Sequence, residues 1–343
     1  MGNSINHKVA VLGGGSFGTV IANIIAANGH AVSLWVRNDV LADEINASGE
    51  NSAYLPGYKL DSNVTVSADL EGSVQDCGCV IFAVPSSAFR QIARQISGYL
   101  KKGTTVISTA KGIENATFLL PSQVLQQELS QCEIGVISGP NIAKEIADGQ
   151  ITATVVASDN DAFCTQVQEL LVSSNFRVYT NHDQFGVELA GALKNIYAIV
   201  SGITDAIGAG QNTKSVVLTR SLAEMNRFAS ELGANPMTFL GLSGIGDLYV
   251  TCTSPLSRNF RVGVAIGQGK TLEQAIEDVG QVAEGINTTK LVKEKADELG
   301  VYMPLASALY ATLFEERPIK DSLSAMMLSE QSMDVDFMVK SND

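Results

Sequence analysis

The sequence is poor in the groups that build staples, metal clusters and membrane anchors. Its five cysteines, Cys77, Cys79, Cys132, Cys164 and Cys252, are an odd number with no C-x-x-C pair among 343 residues. That argues against a disulfide framework or a zinc site and for buried free thiols in a reducing compartment. Basic residues are outnumbered, 23 against 36 acidic ones, for a net charge of −13. A general nucleic-acid surface or an anionic-membrane surface needs basic clusters to replace counterions, so both are disfavoured, and any anionic ligand must be caught by a few local cations. No apolar run is long enough to span a bilayer. The opening MGNSINHK lacks the apolar stretch of a secretory signal, and Asn6 breaks the myristoylation pattern, so a cytoplasmic protein is expected. Histidine is scarce as well. His7 lies near the terminus, His30 in a turn and His182 at an apparent domain junction, and each reads as structural rather than as a proton carrier. There is no low-complexity segment, convincing internal repeat or metal-ligand cluster.

What is present describes a folded chain with a large core: 45% hydrophobic and 17% charged residues. The length exceeds one typical core, which favours two domains. From residue 8 to about 180, β-rich runs recur between helical stretches: KVAVLGG, AVSLWVR, VTVS, CVIFAVP, TTVISTA, EIGVISG, TATVVAS and FRVYT. Strands alternating with helices predict a parallel, doubly wound sheet that takes ligands beyond its strand C-termini. Near residue 184 the texture becomes helical and the strand rhythm stops. The expected fold is therefore α/β, with an N-terminal Rossmann-type doubly wound sheet over residues 1–183 and an all-α C-terminal domain over 184–343. An active site is expected in the cleft between them.

The stretch GGGSFG follows KVAVL and opens into the helical TVIANIIAANGH. As G-x-G-x-x-G, Gly13 makes a tight turn, Gly15 lets a ligand approach the backbone and Gly18 permits close helix–strand packing. That context aims a helix N-terminus at a dinucleotide pyrophosphate, whereas the glycines alone would equally suit a bland turn. The second strand normally ends near an acidic residue that binds the adenosine ribose. Here it ends in Arg37 and Asn38, and a cation suits the 2′-phosphate of NADP. Asp39 lies close by, and a solvated arginine at a strand end remains an alternative.

Reduction of a carbonyl needs a proton carrier, and Lys194 in VELAGALKNIYAIV is the better candidate, a lone cation among apolar neighbours on a helix. Burial can bring a lysine toward working pH, although a snorkelling surface lysine fits the same pattern. In GLSGIGDLYVTCTSPLSRNFRVG, Ser257, Arg258 and Asn259 supply a hydroxyl, a forked cation and an amide suited to phosphate, and Asp247 could orient Lys194 or a substrate hydroxyl. An ordinary helix-start loop reads alike.

Taken together, GGGSFGTV, NSAYLPG, FAVPSSAFR, STAKGIE, ISGPNIAKEIA, ELAGALKNIYAI, GLSGIGDLYVTC, SRNFRVG and VAEGINTTK resemble, in order from residue 8 to about 310, the NAD(P)-dependent glycerol-3-phosphate dehydrogenase family of bacterial type. The resemblance implies reversible reduction of dihydroxyacetone phosphate to sn-glycerol 3-phosphate with NADP or NAD, the step that supplies the glycerol backbone of phospholipids. It also implies a homodimer, and no metal is required. The lysine matching Lys194 is the family's acid–base residue, and the one matching Lys111 touches both substrate and cofactor. Ser16, Phe17, Arg37, Ala143, Val282 and Glu284 fall at its cofactor positions. Gly139, Asn141, Asp247, Ser257, Arg258 and Asn259 fall at its substrate positions, with Arg258 also reaching the cofactor. Asn141 stands where Ser or Thr is usual, and Phe17 replaces the frequent Trp or Tyr, keeping the apolar contact without a polar tip. The competing readings are another dehydrogenase of the same two-domain plan, of 3-hydroxyacid or 6-phosphogluconate type, and a nucleotide-sensing protein that kept the fold and lost catalysis. The SRN cluster and STAKGIE speak against the first, and Lys111, Lys194 and Asp247 against the second.

Overall fold

A computed structural model describes residues 8–318, so His7 and the opening segment lie outside the described residues. The chain divides into two compact units, Met1–Ala110 with Leu119–Gln184, and Lys111–Phe118 with Phe185–Asp343. The segment Lys111–Phe118 thus belongs with the helical unit, and Lys111 shares that unit with Lys194.

The first unit runs β1 (Val9–Leu12), α1 (Ser16–Ala27), β2 (Val32–Trp35), α2 (Asp39–Ser48), β3 (Val64–Ser67), α3 (Leu70–Val74), β4 (Cys79–Phe82), α4 (Phe89–Ile96), β5 (Thr105–Ser108), α5 (Pro121–Glu128), β6 (Glu133–Ser138), α6 (Ala143–Ala147), β7 (Thr152–Ala157), α7 (Asp161–Leu171) and β8 (Phe176–Asn181). Each expected apolar run holds one strand. The runs VAVL and CVIF are continuous rather than alternating because both faces of the sheet are covered. Val9 and Val11 point into one core and Ala10 and Leu12 into the other, following the two-residue period of a strand. Fully burying a Val or Leu side chain is worth about 2 kcal/mol, so this strand anchors both cores. Asn38, Asp69 and Asn160 accept backbone N–H bonds at the starts of α2, α3 and α7, the preferred chemistry of helix entry.

The strand order is β3-β2-β1-β4-β5-β6-β7-β8. The winding reverses between β1 and β4, the kind of switch point beyond whose strand C-termini doubly wound sheets take their ligands. The sheet is parallel and doubly wound as expected but for one junction, where β7 pairs antiparallel with β6 while β7 and β8 are parallel to each other. The chain between β6 and β7 holds only the five-residue α6, and an antiparallel neighbour needs no crossover over the sheet. All five cysteines are buried and unbridged.

The second unit contains α8 (Gln184–Ala206), α9 (Gln211–Glu231), α10 (Asp247–Thr253), α11 (Arg258–Gly267), α12 (Leu272–Val279), α13 (Glu284–Leu299) and α14 (Pro304–Phe314), with no strand among its described residues. Helix α8 is buried on all sides from Gly186 to Ile199, as a helix apolar over most of its circumference is, with Glu188, Lys194 and Asn195 as polar groups enclosed within that stretch. Near its end it meets α11 backbone to backbone. A Cβ on Gly202 would stand 2.0 Å from the Phe260 carbonyl oxygen, and one on Gly263 would stand 2.0 Å from that of Ile199. Glu224 of α9, fully enclosed, accepts the N–H groups of Leu305 and Ala306 at 2.7 and 3.2 Å and the Tyr197 hydroxyl at 3.2 Å. It thereby ties α14 to α8 and satisfies donors that a helix start leaves open. No helix among the described residues is long and apolar enough to cross a membrane.

Candidate active site

The glycine loop sits where β1 ends and α1 begins, and each glycine has its own steric reason. Gly13 takes φ +118°, and a Cβ there would lie 2.6 Å from the Ala83 carbonyl oxygen. A Cβ on Gly18 would lie 2.0 Å from the Gly13 carbonyl oxygen, so a side chain at that position would push the helix off the strand. A Cβ on Gly15 would meet nothing within 4 Å. That open side adjoins the N-terminus of α1, which has no side-chain cap, and the first N–H groups of a helix have no intrahelical acceptor. Space, donors and the positive helix end suit a pyrophosphate. Phe17 is half-buried and packs against the adjoining core.

The other positions of this unit are less uniform. Arg37 is exposed, just beyond β2. Gly139 and Asn141 follow β6, and Ala143 opens α6. The Asn141 side chain is largely committed within the fold, its Nδ2 donating to the Ala153 carbonyl at 3.2 Å and its Oδ1 accepting from the Thr154 hydroxyl at 2.8 Å. His30 lies in the turn before β2. His182 lies between β8 and α8, exposed, with Nε2 3.6 Å from Asp161 Oδ1.

In the helical unit, three charged side chains converge. Lys194 of α8 donates from Nζ to Asp247 Oδ1 and, at 2.5 Å, to the Thr251 hydroxyl. Lys111 donates from its Nζ to Asp247 Oδ2 at 2.6 Å. One carboxylate, 1% exposed, thus holds two ammonium groups, of which Lys194 is buried and Lys111 half-buried. Burial pulls Lys194 down to about 7. Asp247 opposes that fall and Lys111 adds to it. A lysine that exchanges its proton near neutrality can serve as acid in one direction and base in the other. Asp247 is delivered by a single π-helical turn, Leu242–Gly246, directly before α10. A Cβ on Gly244 in that turn would lie 2.1 Å from the Phe239 carbonyl oxygen. Cys252, next to Thr251, is pushed up to about 12 by burial and stays an unreactive thiol.

Two side chains at this centre escaped the sequence reading. Thr251 accepts from Lys194 and passes its own hydrogen to the Asp247 carbonyl at 2.6 Å. Asn195 donates to the Lys111 carbonyl and accepts from Asn259 Nδ2, both at 2.9 Å, and Asn259 Oδ1 accepts the Gly285 N–H at 3.0 Å. The only signal for either was position: Asn195 adjoins Lys194, and Thr251 lies one turn after Asp247. Ser257 caps α11, accepting the Phe260 N–H at 3.2 Å, so the helix-start reading of SRN holds. The hydroxyl still has its hydrogen to donate, and a helix N-terminus itself favours anions. Arg258 is exposed in the first turn of α11, and the Glu284 carboxylate, at the start of α13, acts on it electrostatically. Val282 is exposed just before α13.

Comparison with known proteins shows the family of the chain. A family model described as the N-terminus of NAD-dependent glycerol-3-phosphate dehydrogenase matches residues 8–164, and one described as its C-terminus matches residues 183–324. A glycerol-3-phosphate dehydrogenase [NAD(P)+] of Teredinibacter turnerae is 54% identical over 98% of both chains. That of Saccharophagus degradans is 55% identical over 97% of this chain and 93% of its own. The crystal structure of glycerol-3-phosphate dehydrogenase from Coxiella burnetii superimposes with a TM-score of 0.90 at 35% identity, covering 94% of this chain and 99% of that one.

Proposed function

The chain belongs to the NAD-dependent glycerol-3-phosphate dehydrogenase family, and from that premise we infer that it catalyses the reversible, NAD(P)H-dependent reduction of dihydroxyacetone phosphate to sn-glycerol 3-phosphate. The product would supply the glycerol backbone of phospholipids. The observation that carries the reading is the buried Lys194–Asp247 pair with Lys111 on the same carboxylate, a proton carrier placed beside a second cation.

The cofactor is assigned to Gly13, Gly15, Ser16, Phe17 and Gly18, with Arg37 on the adenosine side. Ala143, Val282, Glu284 and Arg258 are further cofactor positions by family match. When bound, NAD(P)H supplies the hydride that reaches the substrate carbonyl carbon. Lys194 gives its proton to the oxygen as negative charge develops there, and takes it back in the reverse direction. Asp247 keeps Lys194 aimed and balances its charge. Thr251 holds the same ammonium through a neutral hydroxyl, and Asn195 fixes the backbone at Lys111. Arg258, Ser257 and Asn259 are assigned to the substrate phosphate together with Lys111, because forked and charge-assisted donors match phosphate oxygens. Gly139 and Asn141 are substrate positions by family match. Asn141 brings to that role the one Nδ2 hydrogen left over from its bonds within the fold.

A homodimer acting in the cytoplasm is part of the same reading. It is supported by the family resemblance and checked by sedimentation of the purified chain and by fractionation of cells. The deciding assay for the activity is loss of NAD(P)H absorbance with dihydroxyacetone phosphate. A purified, folded chain that oxidises neither NADH nor NADPH with this substrate would overturn the assignment.

A further inference from the structure

Asn51 lies in the loop after α2 and is completely buried. Its amide Nδ2 donates to the Gly14 carbonyl at 2.7 Å and to the Thr19 hydroxyl at 2.8 Å. A carbonyl only accepts, so this contact fixes which end of the amide faces the glycine loop. Thr19 passes its own hydrogen to the Gly15 carbonyl at 2.9 Å, and that oxygen also accepts the Thr19 N–H. One side chain therefore reaches two successive carbonyls of the glycine loop, the first directly and the second through Thr19.

The consequence follows from peptide geometry. In a planar trans peptide the carbonyl of one residue and the N–H of the next point in opposite directions, and the described residues contain no cis bond. Holding the Gly14 and Gly15 carbonyls from behind turns the N–H groups of Gly15 and Ser16 toward the opposite side. A second tie comes from the same loop, since the Ser16 hydroxyl donates to the Tyr54 carbonyl at 2.6 Å. The arrangement has an energetic cost: Asn51 Oδ1 is buried without a hydrogen-bond partner, and an orphaned acceptor of this kind is destabilising. An apolar side chain of similar size would avoid that cost but would leave the Gly14 carbonyl unheld.

We infer that Asn51 is a positioning residue for the cofactor, presetting through Gly14 and Thr19 the two backbone amides that receive the pyrophosphate. The inference rests on the cofactor reading above. Being blind to the adenosine ribose 2′-position, where the two cofactors differ, it affects NADH and NADPH alike. The test is titration of the full-length protein with NADH and with NADPH, alongside steady-state kinetics, for the wild type, Asn51→Asp, Thr19→Val and Thr19→Ser. Asn51→Asp keeps the shape but sets a carboxylate against the Gly14 carbonyl. Thr19→Val removes the relay, and Thr19→Ser keeps it. The dissociation constants for both cofactors should rise about tenfold in Asn51→Asp and Thr19→Val and stay near wild type in Thr19→Ser. At saturating cofactor, kcat and the KM for dihydroxyacetone phosphate should hold, a split that general loss of structure would not give. If Asn51→Asp is not recovered folded, the Thr19 pair decides. Wild-type affinity in Thr19→Val, or a fall in kcat in place of the rise in dissociation constant, overturns the inference. Failure of the wild type to bind either cofactor instead overturns the functional reading on which it rests.

Discussion

Replacing Lys194 by alanine is the most direct test of the proposed proton path. The ammonium it removes is 5% exposed and bonded to a carboxylate that is 1% exposed, so no solvent group stands ready to take its place. General acid–base help is typically worth about 10² to 10⁴ in rate, or roughly 3 to 5 kcal/mol of barrier. We expect kcat to fall by that factor in both directions, followed by NAD(P)H absorbance, while titration shows the cofactor still binding. The pH profile gives an independent check. With Lys194 near 7, the base form grows above that pH and the acid form below it. Glycerol 3-phosphate oxidation should therefore rise through pH 7, and dihydroxyacetone phosphate reduction should decline above it. Both limbs should vanish from the residual activity of Lys194→Ala. Arginine should restore little, because a guanidinium keeps its proton and cannot act as the base. Asp247 keeps its 2.6 Å bond to Lys111, so the variant should remain folded, which thermal melting reports. Near-normal turnover with both limbs intact would refute the mechanism and pass the role to Lys111.

Four further outcomes are expected. Arg37→Asp should raise the KM for NADPH well above that for NADH, since a charge-assisted contact to the 2′-phosphate becomes repulsion; equal changes for both would remove that contact. Arg258→Ala should weaken substrate and cofactor together by a few kcal/mol, about tenfold in kcat/KM for each 1.4 kcal/mol, and wild-type kinetics would take the phosphate site away from this loop. Asn259→Ala should raise the KM for dihydroxyacetone phosphate and also lower kcat, because its Nδ2 supports Asn195; an unchanged kcat would show that this support is unimportant. Burial pushes the Glu224 carboxyl up to about 7, against the lowering effect of the Leu305 and Ala306 amides, from an ordinary value of 4.5. A carboxyl that binds its proton more tightly when folded gives stability that is complete below pH 4.5 and lost as pH rises through about 7. The melting temperature should therefore drop across that window, and Glu224→Gln should flatten the drop; an identical slope in both proteins would refute the shift.

Much of this was readable in the sequence because it is written in local pattern. The eight strands announce themselves as apolar runs, and the three glycines of the loop occupy positions whose steric demands differ in predictable ways. The β6–β7 reversal was not readable, since an apolar run such as TATVVAS is the same in either direction. Of the partners of Lys194, Asp247 was expected as one choice, to orient either the lysine or a substrate hydroxyl, but Thr251 and the meeting of Lys111 on the same carboxylate were not. Asp247 lies 53 positions from it in sequence, and the Asn195 contact with the Lys111 carbonyl spans 84. Such pairs exist only after α8, α10 and the segment at 111–118 have packed. Asn141 shows the opposite limit: the family resemblance put it at a substrate position, but the Ala153 carbonyl and Thr154 hydroxyl, which occupy most of its amide, lie on a strand whose pairing no local pattern revealed.

The bare crossing of α8 and α11 at Gly202 and Gly263 has a metrological consequence. Side chains exchange rotamers in picoseconds to nanoseconds and repack when mutated, but none stands between these helices at their point of closest approach. Their spacing is set by peptide groups of fixed length. Lys194 lies about two turns before the crossing on one helix, and Arg258 and Asn259 open the other. The span from the proposed proton carrier to the proposed phosphate cradle is thus calibrated like the jaws of a caliper, and a substitution elsewhere along either helix inherits the setting.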